Sequence, residues 1–225
     1  MNMKALAASL AALTSALPSG ADTLRCDAPL VTAEARTPEL ARATCGAVSE
    51  ALEALGRCGL TMMQPLLVTV LAAPEHLVHG VCLGYYDSHS RCISVAEPAR
   101  YTALLPAGDA RRDLPPDRLF RGLVAHEVAH AVIAQLPGGT KVAPEHHEFI
   151  AAVFEMEVYG PESRAALLAA DPVRAEGSRD MVNMGIYALA PRVFGNNAWA
   201  LYQAEPDGCA LVRGIVSGER ALGFR

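Results

Sequence analysis

The chain has 225 residues, 52% apolar and only 19% charged, which supplies enough apolar content for one sizeable core and too little charge for a disordered polymer. Its formal net charge is -5 and no basic cluster appears along it, which argues against nucleic acid as a partner.

In chain order, MNMKALAASLAALTSAL places Lys4 ahead of an apolar run, Ala5 to Leu17, that is too short to span a bilayer. Ser19-Gly20-Ala21 then fits the small-x-small rule for signal peptidase. The expectation is a signal peptide over residues 1–21, a mature single domain over 22–225 beginning at Asp22, and a secreted or periplasmic location. No later segment is apolar for long enough to anchor the protein after cleavage. Six cysteines, Cys26, Cys45, Cys58, Cys82, Cys92 and Cys209, follow the cleavage point, and an even count in an exported chain suggests three disulfides. None forms a CxxC pair, which weakens a thiolate zinc site or a redox dithiol. Cys82 and Cys92 flank a hairpin and are the favoured pair; the other four leave their connectivity open.

After an extended start around Cys26, Thr37-Pro38 opens a helix that runs to Leu55 and stops at Gly56 and Gly59. The run Leu66 to Leu71, with β-branched residues at its centre, reads as a buried strand. Val81 to Tyr86 and Arg91 to Val95 read as two strands of a hairpin around Asp87-Ser88-His89-Ser90. Pro115, Pro116 and Asp117 introduce a helix with apolar residues at Phe120, Leu123, Val124, Val128, Ala131, Val132 and Ile133, ending near Gly138-Gly139. A further helix opens at Pro144 and stops at Gly160-Pro161. Short helices are expected over Pro161 to Ala170, Arg179 to Phe194, Ala198 to Gln203 and Gly208 to Ser217. This order gives an α+β domain: a small sheet, a central helix and a helical C-terminal part.

The central helix carries HEVAH. Residues four apart share a helix face, so the imidazoles of His126 and His130 can converge on one ion. Glu127, rotated by about 100° from His126, can reach a water on the open side as general base rather than bind metal. One catalytic Zn2+ would acidify that water and polarise a carbonyl. The flanking Val124, Ala125, Val128, Ala129, Ala131 and Val132 make the helix apolar, and unpaired polar groups would be costly there. A catalytic zinc site needs a third protein ligand. Glu148, 18 residues after His130 and facing the small Ala151 and Ala152, is the preferred donor. Glu145 and Glu155 share its face and could be the ligand or a supporting group, and His146 or His147 could also donate. Either of these histidines, Tyr187 or Tyr202 could stabilise an oxyanion. His76, His79 and His89 fall in loop or turn contexts and are expected to face solvent.

At these residues the chain resembles the zincin metallopeptidases, and HEVAH with Glu148 downstream is similar to the gluzincin branch. The likeness covers roughly Leu66 to Tyr159, and the whole chain looks like small exported zincin-like proteins of proteobacteria. Metzincins continue HExxHxxGxxH, whereas HEVAHAVIAQL has Ile133 in the glycine position and no third histidine. The aspzincin GTxxD is also missing, since Gly139-Thr140-Lys141-Val142-Ala143 lacks the aspartate. Four residues after Glu148 stands Ala152 instead of the acid of the best-known gluzincin pattern, so the group that orients the zinc histidines is left open. The resemblance implies a small, mostly antiparallel sheet whose edge strand, within Val81 to Val95, lies antiparallel to an extended substrate. It implies a secreted zinc-dependent metallopeptidase acting on a peptide or protein. The alternatives are a zincin-fold module that holds zinc without catalysis, or a zinc hydrolase of a non-protein envelope substrate. A purely structural zinc site would not need Glu127.

Overall fold

A computed structural model describes residues 22–77, 80–137 and 139–223; the expected signal peptide over residues 1–21 and His79 lie outside them. The architecture is α+β. Two strands precede the first helix, β1 (Asp22–Arg25) and β2 (Val31–Ala35), where the sequence suggested only an extended start. The helix α1 (Pro38–Arg57) begins where expected: Thr37 caps it by accepting the Leu40 N–H, and Pro38 occupies its first turn. After it come β3 (Leu66–Leu71), a two-residue pair β4 (Glu75–His76) and β5 (Gly80–Val81), then β6 (Gly84–Asp87) and β7 (Cys92–Ala96).

The sheet order is β1-β2-β3-β7-β6. Its pairing corrects the expected mostly antiparallel sheet. β2/β3 and β3/β7 are parallel, while β1/β2 and β6/β7 are antiparallel. β2 and β3 are joined by a crossover through α1, and a strand that returns after a helix on one face arrives parallel to its predecessor; β7 comes parallel to β3 because β6 runs the other way at the edge before the hairpin turns back. Buried and partly buried residues alternate along β2 and β3, so one face of the sheet is covered. α1 packs on β1, β2 and β3. The expected strand Val81 to Tyr86 divides between two pairings, because Val81 pairs with Glu75 while Gly84 begins the main-sheet pairing opposite Val95.

A short α2 (Tyr101–Leu104) leads to α3 (Pro116–Gln135), which packs on α1, β6 and β7. α4 (Pro144–Ala170) lies against α3 and bends at Gly160, whose φ of 76° only glycine adopts without strain, just before Pro161. The expected helix Arg179 to Phe194 is divided. Asn183 caps a short α5 (Met184–Leu189), and Pro191 starts α6 (Pro191–Ala204), because the residue before a proline is driven out of the helical region. α6 packs on α4, and α7 (Gly208–Ser217) closes the chain against α6.

Two disulfides, Cys26–Cys45 and Cys58–Cys209, tie the sheet's first loop to α1 and the end of α1 to α7. The expected Cys82–Cys92 bridge is absent, and both thiols are free. Register explains the correction. Cys92 stands opposite Asp87 at one end of β6, and Cys82 lies beyond Gly84 at the other end, so the strand alone, about 10 Å long, keeps the two apart, whereas a disulfide needs Cα atoms within about 7 Å. Among the described residues no helix is long and apolar enough to cross a membrane.

Candidate metal centre

α3 brings His126 and His130 onto one face a single turn apart, with ring centroids 5.0 Å apart and nearly perpendicular planes. Glu148, on the facing turn of α4, completes a group of three whose ligand atoms all lie within 4.8 Å of one another. His126 Nε2 is 3.3 Å from Glu148 Oε2 and His130 Nε2 is 3.7 Å from Glu148 Oε1. Donors around a tetrahedral zinc, each about 2.1 Å from it, lie about 3.4 Å apart, so these separations suit that ion.

Glu155 answers which group orients the first histidine. It lies seven residues after Glu148 on the same face of α4, and its Oε2 sits 3.0 Å from His126 Nδ1. A carboxylate only accepts, so Nδ1 carries a proton and Nε2 is the nitrogen that faces Glu148. Tyr159, one turn further on, donates to Glu155 Oε1 at 2.5 Å. Its ring fits against α3 because position 122 is glycine; a Cβ there would fall inside the Tyr159 ring. The Glu148 Oε2 atom is buried with no hydrogen-bond partner. Once Nε2 gives up its proton, its lone pair and this carboxylate oxygen, 3.3 Å apart, face the same space, an arrangement that suits a cation.

Charge gives the same answer. Burial pushes the Glu148 carboxyl up, but His126 and His130 outweigh it and hold the group well below the usual carboxylate range. Glu155 is opposed by burial in the same way and is held down to about 2 by His126, with Arg192 and Arg111 contributing. Burial opposes a charged His126, yet Glu148, Glu155 and Glu127 raise it well above the ordinary imidazole value. Three carboxylates around two imidazoles thus demand positive charge, which a divalent ion supplies while leaving Nε2 free to bind it.

Glu127 is buried on the adjacent face of α3, where burial raises its carboxyl, the neighbouring His126 and His130 lower it, and Glu148 and Glu155 raise it further. β6 comes close to it because Gly84 has no side chain: a Cβ there would meet Glu127 Oε1 at 3.1 Å. The centre opens into a cleft of about 760 Å³ that Glu127, Tyr85, Tyr86 and Tyr187 line. β6 is the sheet's edge strand and forms one wall.

The other candidates separate cleanly. His146 is buried and accepts the Leu222 N–H at Nε2, 2.9 Å away, so it fastens the C-terminal segment to α4. His147 lines the cleft, stacks on His130 with centroids 5.7 Å apart, and directs Nε2 to the Gly139 carbonyl at 3.3 Å. Glu145 does not line the cleft, and Tyr202 lies beside the Cys58–Cys209 bridge. Tyr187 does line the cleft; burial first and then the Glu148 carboxylate push its phenol up, so it stays a neutral donor. His76 corrects the sequence reading: it faces the cleft and stands edge-on to Tyr85 at 5.2 Å. Its position on a two-residue strand has no periodicity to reveal it. Cys82 also lines the cleft, its thiol raised by burial and by Glu127. His89 is solvent-exposed, as expected.

No curated protein and no solved structure matches the chain. A family model does match, over residues 31–224, which takes in every residue of the site; the chain belongs to DUF6639, a family of unknown function.

Proposed function

We propose that the chain is an exported zinc-dependent metallopeptidase, with His126, His130 and Glu148 as metal ligands and Glu127 as general base. The observation that carries this reading is the pairing of a Glu148 Oε2 without a hydrogen bond with a His126 whose tautomer Glu155 sets, beside a third acid, Glu127, that takes no part in that group. Zinc bound there supplies Lewis acidity and lowers the pKa of water towards neutrality. Glu127, with its raised carboxyl, accepts a proton from the attacking water and delivers it to the departing amine. Tyr187 remains protonated at the cleft wall and donates to the oxyanion of the tetrahedral intermediate. The free edge of β6 offers main-chain donors and acceptors to an extended peptide, which pairs with it antiparallel. Export is supported by the two disulfides, which persist in oxidising compartments.

The test is metal content together with turnover. Purified protein should hold about one zinc per chain, and His126→Ala or His130→Ala should lose it. Glu127→Gln should keep the zinc and stop cleavage of an unbiased peptide library. A folded, zinc-loaded wild type that cleaves nothing in that library would refute the peptidase reading and favour a binding module.

A further inference from the structure

We propose that the cleft continues past Tyr86 into a second subsite, built around Arg91, that selects a carboxylate-bearing residue preceding the cleaved bond; this rests on the peptidase reading above. A second cavity of about 300 Å³ shares Tyr86, Ser88 and Ala134 with the main cleft, so the two are continuous along β6. Among the described residues no lysine or arginine lines the main cleft, and Arg91 is the one such residue lining the second cavity. Among the described residues Arg91 makes no ion pair.

Its guanidinium is held in place by neutral groups. Nη1 donates to Gln64 Oε1 at 2.8 Å, and the backbone N–H groups of Met63 and Gln64 both donate to Gln135 Oε1 at 2.8 Å. The backbone of Arg91 is left-handed, with φ 56°, and closes the β6–β7 turn. Asp87, the acid of that turn, is occupied within it: Oδ1 accepts the His89 N–H at 2.9 Å and Oδ2 accepts the Ser90 hydroxyl at 2.6 Å. Arg91 is thus anchored on one side by an amide, and its remaining guanidinium donors and full charge are available to an anion.

The geometry also sets the distance and direction. On the β6 side, Gly84 lies against Glu127 while Tyr86 and Ser88, two and four residues on, border the second cavity, so the subsite serves a residue about two to four positions from the bond. β6 runs from Gly84 towards Asp87 and the second cavity, so a peptide antiparallel to it reaches the Arg91 end first, with its amino-terminal side.

The experiment is cleavage-site profiling of the zinc-loaded, full mature protein on an unbiased peptide library, followed by kcat/KM on matched Glu and Gln peptides. Because Arg91 is exposed, the expected preference for Glu is modest, about fivefold, and it shrinks at high ionic strength. Arg91→Gln should bring the ratio near one, Arg91→Lys should retain part of it, and Arg91→Glu should favour a Lys peptide. Cleavage without an acidic preference, or a preference unchanged in Arg91→Glu, overturns the subsite and leaves the peptidase reading standing. Failure of the zinc-loaded wild type to cleave any peptide overturns the peptidase reading itself and the subsite with it.

Discussion

Replacing Glu155 by Ala removes two effects that the wild-type carboxylate combines. Its Oε2 lies 3.0 Å from His126 Nδ1 and fixes the tautomer that offers Nε2 to the metal. Loss of such a partner typically weakens metal binding about 10- to 100-fold, roughly 1.4–2.7 kcal/mol. The same carboxylate helps raise His126 well above its ordinary value, so zinc competes with a proton for that imidazole. Zinc affinity of the wild type therefore climbs with pH, about tenfold per unit, until His126 loses that proton by itself. In Glu155→Ala the imidazole gives up its proton at lower pH, and weaker competition offsets part of the lost ligand strength under acidic conditions. The penalty should be larger near pH 9 than near pH 6, with a flatter pH dependence between them. Competition titrations against a chromophoric chelator at the two pH values read this directly. An unchanged zinc affinity at pH 9, or a larger penalty at pH 6 than at pH 9, would refute the assignment of Glu155 as the group that orients His126.

Gly84→Ala should retain zinc and lower kcat, because its Cβ would press on Glu127 Oε1 and Cγ at 3.1 and 3.3 Å; a loss of zinc in place of turnover would contradict this. Gly122→Ala should destabilise the fold by about 1–3 kcal/mol in urea unfolding, since the buried Tyr159 ring must move, and should also loosen zinc through the Tyr159–Glu155 bond. Cys58→Ala with Cys209→Ala should cost about 2–5 kcal/mol, because that bridge closes a segment of 151 residues. Unfolded but unreduced protein should titrate two thiols, Cys82 and Cys92; none would restore the third disulfide. On acidification, the depressed Glu148 and Glu155 carboxyls give stability that is present above the unfolded carboxylate value. It is lost as pH falls through their lowered folded values, and circular dichroism should show acid unfolding in that range.

What could be read without a structure is what depends on near neighbours in the chain. The 3.6-residue period determined that His126 and His130 share a face and that Glu127 does not. Thr37-Pro38, Pro116 and Pro144 marked the starts of α1, α3 and α4, because caps and first-turn prolines act within a few residues. Glu148 was reachable by its spacing and its small neighbours. Glu155 shares the same helix face, and only the packing of α4 on α3 shows that it meets Nδ1 of His126 while Glu148 faces Nε2. The sheet's mixed order, the Cys26–Cys45 and Cys58–Cys209 pairs, and the turn of His76 into the cleft were likewise decided in three dimensions. Each joins residues whose separation along the chain carries no periodic signal. Pairing register, helix crossing and crossover direction set which of them touch, and those are properties of the assembled layers.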